Sequence, residues 1–221
     1  MMDIRRVSLF AGHYGSGKTN IAVNFALKLH RDGIRTAIYD LDIVNPYFRT
    51  KDSQELLEQA GIRLIASPYA NSNVDIPALP SEMYRAVDDR DTNAILDIGG
   101  DDRGATALGR LRDAILAENN YHMYFVANFY RPLTTCVPDM IEVMREVEAA
   151  GGIPFTAIVN NSNLGEITEA EDVIATGEKA DALSKATGLP VAFTTARDTL
   201  SDAVAEKIQN VLPLHLQEKY Y

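Results

Sequence analysis

Residues 12–19, with the sequence GHYGSGKT, constrain this chain more than any other segment, because they match the pattern GxxxxGK[ST] in full. A strand-like apolar run at 4–10 comes directly before them, and an amphipathic run at 18–31 begins at their end. Glycines let such a backbone curl so that successive N–H groups point at phosphate oxygens, and a following helix N-terminus adds partial positive charge. The segment therefore predicts a phosphate-binding loop between a strand and a helix.

Residue types within this loop suggest separate roles. Lys18 supplies a positive charge for β- and γ-phosphates, and the Thr19 hydroxyl can ligate Mg²⁺. The candidate nucleotide-binding residues are Gly12, His13, Tyr14, Gly15, Ser16, Gly17, Lys18, Thr19 and Asn20.

Short apolar runs alternate with longer amphipathic runs along the whole chain. Strands are predicted at 4–10, 35–41, 62–66, 94–98, 122–127, 156–159 and 191–193. Helices are predicted at 18–31, 53–60, 81–87, 105–117, 138–150, 168–187 and 199–211. Nearly continuous apolar strands separated by helices indicate a parallel sheet covered on both faces. We expect an α/β three-layer sandwich with a mostly parallel sheet of about seven strands, and a single domain over residues 1–221, because the connections are too short for a boundary.

Two of these strands lead into carboxylates. Asp97 lies at the end of an apolar strand and is followed by Gly99 and Gly100, an arrangement in which the carboxylate reaches Mg²⁺ through water. Asp42 follows another strand and is the better candidate, over Asp40, to orient an attacking water or to hold a Mg²⁺-bound water. The alternative is that either aspartate only caps the next turn.

The loop after the strand at 156–159 bears on which base is bound. A guanine-binding loop carries N-K-x-D here, and its aspartate accepts hydrogen bonds from guanine. This chain has Asn160, Asn161, Ser162 and Asn163, so the charged acceptor is absent. The sequence favours ATP over GTP, and the alternative is a loop that is merely rich in turn-forming asparagine.

Charge and composition exclude several classes of protein. Thirty-one acidic against 21 basic residues give a net charge of −10, which disfavours nucleic acid and anionic membranes as partners. No apolar run approaches the ~20 residues of a membrane span, and the start of the chain lacks the apolar core of a signal peptide. We therefore expect a cytoplasmic protein. The single cysteine, Cys136, excludes a disulfide or a cysteine-ligated cluster built within one chain.

Together, the phosphate loop and the segments around Asp42 and Asp97 resemble the deviant-Walker ATPases of the SIMIBI class. This group of P-loop NTPases includes the ParA-like chromosome-partition and MinD-like division-site ATPases and the nitrogenase iron protein. The resemblance implies that Lys18 and Asp42 are catalytic, and that Thr19, Asp42 and Asp97 serve the metal. It also implies that an asparagine directly after this strand, Asn160, reads adenine.

One position departs from the pattern of that family. The signature lysine of the family falls at position 13, which is His13 here. Histidine is shorter and mostly neutral at pH 7. In the family that lysine reaches across a nucleotide-sandwich dimer, so the resemblance leaves a homodimer open here.

The resemblance favours a Mg²⁺-dependent ATP-binding protein that hydrolyses ATP slowly and acts as a nucleotide switch on an unidentified protein partner. One alternative is an ATP-dependent ligase similar to dethiobiotin synthetase, or a small-molecule kinase, either of which needs an acceptor pocket. Another is a nucleotide-sensing or metallocentre-assembly module that does not hydrolyse.

Overall fold

The computed structural model describes residues 2–42, 54–66, 80–100 and 102–216. Within these residues eight strands form one parallel sheet in the order β3-β2-β4-β1-β5-β6-β7-β8. They are β1 Val7–Ala11, β2 Thr36–Leu41, β3 Arg63–Ala66, β4 Asn93–Ile98, β5 Tyr121–Ala127, β6 Ala157–Asn160, β7 Val191–Arg197 and β8 Val211–Leu214. The predicted α/β fold with a parallel sheet is confirmed.

Helices connect these strands. In the described residues they are α1 Lys18–Arg31, α2 Gln54–Gln59, α3 Arg85–Asp88, α4 Asp102–Gly109, α5 Arg112–Glu118, α6 Val137–Gly151, α7 Ala170–Ala175, α8 Gly177–Thr187 and α9 Asp198–Ala205. Short 3₁₀ turns occupy Ser81–Tyr84 and Gly165–Ile167. Cys136 is exposed and precedes the first turn of α6.

Apolar side chains cover both faces of the sheet. Along β1, Leu9 belongs to a buried cluster that includes Ile115 of α5 and Met140 of α6. Its neighbour Phe10 belongs to a second cluster, on the other face, with Phe25 of α1. This alternation follows from the period of two in a strand, and it explains why the strands read as continuously apolar.

The eighth strand was not predicted from the sequence. The helix expected over 199–211 ends at Ala205, and Asn210 turns the chain with a left-handed φ of 56°. In β8, Leu212 and Leu214 are buried while Pro213 between them is exposed. Proline is tolerated because β8 is the edge strand among the described residues, where it pairs with β7 alone.

Two long predicted helices are each broken in two. The run at 105–117 divides around Leu111, whose N–H donates to Leu108 O at 2.9 Å in a tight turn. The run at 168–187 divides at Thr176, whose hydroxyl donates to Val173 O at 2.8 Å. Hydroxyl side chains of this kind compete with the helical ladder for backbone carbonyls.

Arg6 holds together the edge of the sheet at which the strands begin. Its Nε and Nη2 donate to the carboxylate of Glu118, and both side chains are under one-tenth exposed. Its Nη1 donates to the carbonyls of Ala86, Asp89 and Thr92 at 3.0, 3.2 and 3.3 Å. One buried guanidinium therefore links β1, the end of α5 and the connection between α3 and β4.

Candidate functional site

The sheet order determines which loops surround the phosphate loop. Strand β1 lies between β4 and β5, so the loop after β1 is flanked by the loops after those two strands. All these strands are parallel, and their carboxyl ends meet at one edge. In open α/β sheets ligands bind at this edge.

The phosphate loop has the tight backbone that its glycines predict. Ser16 N–H donates to His13 O at 3.1 Å, and Gly17 precedes α1 with φ 92°. A Cβ atom built on Gly17 would lie 2.3 Å from Asn161 Nδ2, so no larger residue fits. The His13 ring contacts the backbone of the next residue, with Nδ1 2.9 Å from Tyr14 O.

Lys18 lies inside this loop and is only 6% exposed. Its Nζ donates to His13 O at 3.2 Å. The loop after β4 lies directly beside it: a Cβ atom built on Gly100 would be 3.2 Å from Lys18 Nζ and 3.1 Å from Tyr14 Cα. Gly100 therefore leaves room for both the ammonium group and the loop backbone.

Replacing Gly100 by alanine is expected to weaken nucleotide binding about 10-fold, because the added methyl group must displace Tyr14 or Lys18. Titration of the variant with nucleotide measures the effect. Gly109→Ala is the matched control, since a Cβ atom there meets nothing within 4 Å. Equal affinities in the two variants would contradict the close approach of the two loops.

Thr19 and Asp97 meet between β1 and β4. The Thr19 hydroxyl donates to Asp97 Oδ2 at 2.6 Å, and Asp97 is 1% exposed. Nearby in sequence, Asn20 Oδ1 is buried and accepts no hydrogen bond from the residues that the structure describes. Hydroxyl and carboxylate oxygens are ligands that Mg²⁺ accepts, so this pair fits the ion that the motif implies.

No group of three or more His, Cys, Asp or Glu side chains in the described ranges could hold a metal ion. A cage made only of such side chains is therefore not part of the site described here. Magnesium commonly uses one or two carboxylates together with water and phosphate oxygens.

The two aspartates at the end of β2 differ in surroundings. Asp40 is buried and pairs in register with Asp97 of β4. Its Oδ1 accepts the N–H of Asp42 at 3.0 Å, so Asp40 makes the turn-capping bond that was the alternative to a role at the site. Asp42 is half-buried and directly follows β2, and its role in positioning water stays a prediction.

Asn160 is fully buried at the end of β6. Its Nδ2 donates to Thr176 Oγ1 at 3.0 Å, and its Oδ1 accepts the Ser162 hydroxyl at 2.7 Å. Both ends of the amide therefore have protein partners. The assignment of Asn160 to adenine stays a prediction.

Asn161 connects the phosphate loop to the sheet, a role that the sequence analysis missed. Its Nδ2 donates to Ser16 O at 2.6 Å, and its Oδ1 accepts the Thr195 hydroxyl of β7. The signal available in the sequence was a polar residue directly after a strand that ends at the same edge of the sheet.

A small cavity of about 30 Å³ opens beyond β6 and β7, where Asn161, Asn163 and Arg197 contribute to its lining. Such a volume suits a single water molecule and not a nucleobase.

At the start of α9, a hydrogen bond with His215 lowers the pKa of Asp198 below its ordinary value, with His215 Nδ1 3.1 Å from Asp198 Oδ2.

A phosphate loop with a lysine inside it, a threonine–aspartate pair behind it and a parallel sheet beneath it defines a P-loop nucleotide-binding protein. The model of the CobQ/CobB/MinD/ParA nucleotide binding domain matches residues 7–169. This match covers well over half of the sequence. The chain belongs to that family, as the resemblance predicted.

Solved structures of similar fold include chloroplast FtsY from Physcomitrella patens, with TM-score 0.61 and 16% identity over 87% of this chain and 58% of that one. The cell division protein FtsY from Thermotoga maritima has a TM-score of 0.59 and 15% identity, over 86% of this chain and 61% of that one. The signal recognition particle 54 kDa protein from Aeropyrum pernix, in complex with GDP, has a TM-score of 0.56 and 18% identity, over 87% of this chain and 41% of that one. This chain thus spans less than two thirds of each of them, and the likeness is one of fold.

A search of curated protein sequences gives no significant match. None of the helices in the described residues is long and apolar enough to cross a membrane.

Proposed function

We propose that this protein binds ATP with Mg²⁺, hydrolyses it slowly, and uses the bound nucleotide as a switch that acts on a protein partner. The observation that carries the proposal is the 2.6 Å contact between Thr19 and Asp97, beside the enclosed Lys18. A phosphate loop, a hydroxyl ligand and a strand-end carboxylate are the parts that phosphoryl chemistry requires in this class.

Each of these residues has a separate role in binding or hydrolysis. Lys18 and the loop amides neutralise the phosphates. Asp97 accepts a hydrogen bond from the Thr19 hydroxyl, which leaves the lone pairs of the Thr19 oxygen directed away from Asp97. A bound Mg²⁺ supplies charge neutralisation to the phosphate oxygens. Asp42 orients the attacking water.

The preference for ATP is supported by the residue at the position of the guanine-binding aspartate. Asn163 carries a neutral amide there; its Nδ2 donates to Asn161 O at 2.8 Å and its Oδ1 accepts Gly165 N–H at 3.1 Å. Guanine therefore lacks a carboxylate acceptor for its N–H groups. The signal recognition particle 54 kDa protein that was solved in complex with GDP shares the fold at 18% identity, which does not carry the choice of base.

Exposed apolar residues near the site support the partner in this proposal. Among the described residues, the exposed large hydrophobic side chains are Tyr14, Leu56, Leu133, Leu164 and Ile167. Four of these, all except Leu56, lie on loops after β1, β5 and β6, at the carboxyl edge of the sheet. Apolar side chains gathered at one edge are typical of surfaces that bind other proteins.

Binding and turnover of ATP and GTP, each with Mg²⁺, test the proposal directly. We expect ATP to bind at least about 10-fold more tightly than GTP and to be hydrolysed slowly. Tighter binding of GTP would overturn the choice of base, and absence of binding to both would overturn the function. ATP turnover that appears only with an added metabolite would select the ligase or kinase alternative. ATP binding without any turnover, alone or with protein partners, would select the non-hydrolysing module.

Replacing Asp42 by alanine should leave ATP affinity nearly unchanged and lower turnover by about 100-fold or more, as expected for loss of the group that positions the water. The measurement is steady-state phosphate release at saturating ATP, beside a binding titration. Asp202→Ala removes an exposed carboxylate of α9 and serves as the control. Unchanged turnover in the Asp42 variant would remove this residue from the proposed role.

A further inference from the structure

The loop between β5 and α6 presents an arginine in a fixed position. Arg131 N–H donates to Asn128 O at 3.3 Å, and Arg131 O accepts Thr134 N–H at 3.2 Å. The Thr134 hydroxyl also donates to Asn128 O at 2.9 Å, and Tyr130 N–H donates to Asn128 Oδ1 at 3.1 Å. These bonds within the loop set the backbone of Arg131.

The Arg131 guanidinium lies against the phosphate loop. A Cβ atom built on Gly15 would be 3.6 Å from Arg131 Cζ and 3.7 Å from its Nε. The side chain is exposed and makes no hydrogen bond or ion pair with other residues that the structure describes. A guanidinium offers five N–H donors in a planar fork that matches phosphate oxygens. A cation whose donors have no partner among the described residues therefore borders the segment that wraps the phosphates.

The strand order shows which side of the loop Arg131 occupies. Lys18 Nζ and Gly100 lie on the side of β4, whereas Arg131 arrives from β5, on the other side of β1. The lysine of this motif reaches the β- and γ-phosphates, and the loop amides hold the α- and β-phosphates. The side of β5 is also the side of the base loop that follows β6.

We propose that Arg131 binds the α- or β-phosphate of the nucleotide, so that di- and triphosphates are held from both sides of the phosphate loop. This inference rests on the proposed function, because it assumes that the loop holds a nucleotide. A local cation also offsets the net charge of −10, which otherwise opposes the approach of a polyphosphate.

Replacement of Arg131 by glutamine, followed by titration with ATP, ADP and adenosine, tests this role. We expect affinity for ATP and ADP to fall by the same factor, about 10-fold or more, and affinity for adenosine to stay unchanged. Arg131→Lys keeps the charge but loses the fork, so it should restore part of the affinity. The difference between wild type and Arg131→Gln should shrink as salt is added. Arg145→Gln, which removes an exposed arginine further along α6, should change nothing.

Three outcomes would overturn the role of Arg131 while leaving nucleotide binding intact. They are unchanged affinity for ATP and ADP, a loss confined to ATP, and an equal loss for adenosine. Parallel titrations with GTP, GDP and guanosine keep the test valid whichever base is bound. If the wild-type protein binds none of these ligands, the proposed function itself fails. Thermal unfolding without nucleotide shows that each variant is folded.

Discussion

Alanine in place of Lys18 should reduce nucleotide affinity by about 100-fold or more, since it removes a charged side chain that is buried in the phosphate loop. In the structure the ammonium group lies between His13 O and Gly100, which fixes its position in the loop. Alanine removes this positioned charge. Isothermal titration with ATP and Mg²⁺ gives the affinity.

Lys28→Ala provides the matched control for this variant. Lys28 lies on the same helix, and its Nζ contacts Asp32 at 2.6 Å in a partly exposed pair. Removing it changes the net charge by the same amount, and nucleotide affinity should stay within about twofold. A Lys18 variant that binds as tightly as the Lys28 variant would show that the loop does not hold the phosphates.

The second large effect concerns stability. Arg6→Ala should lower the free energy of unfolding by about 3–5 kcal/mol, because it leaves the Glu118 carboxylate buried without its partner. Three backbone carbonyls lose their donor in the same variant. Urea denaturation followed by circular dichroism measures the change.

The adjacent arginine supplies the comparison for Arg6. Arg5 pairs with Asp3 at 3.0 Å in an exposed setting, and Arg5→Ala should cost less than about 1 kcal/mol. Replacing both buried partners with apolar residues, as in Arg6→Met with Glu118→Leu, should recover much of the loss. If Arg6→Ala costs no more than Arg5→Ala, the buried pair does not stabilise this edge of the sheet.

Patterns local in sequence predicted most of the fold. The strand and helix predicted at 4–10 and 18–31 are present, at Val7–Ala11 and Lys18–Arg31, because apolar periodicity and the glycines between them act over a few residues. Strand β8 was not predicted because a four-residue edge strand containing Pro213 has no periodicity of its own, and its first residue, Val211, was assigned to the preceding helix.

The parts of the site that the sequence did not predict are contacts between distant segments. The bond from Asn161 to Ser16 joins residues separated by 145 positions, and no spacing rule indicates it. In the sequence nothing distinguishes Arg131 from an ordinary surface arginine. The strand order β4-β1-β5 brings its loop beside Gly15. Motifs therefore predicted which residues have the chemistry to bind a nucleotide, whereas the topology determined which of these residues lie in contact.

The same loop offers a reporter of ligand binding. Cys136 is the sole cysteine of the sequence, and it is exposed at the start of α6, five positions after Arg131. Its carbonyl accepts Met140 N–H at 3.2 Å, so its backbone is bonded to the first turn of the helix. A thiol-reactive fluorophore would attach at one site without any cysteine having to be removed. Its emission would follow events at the nucleotide edge in the otherwise native chain.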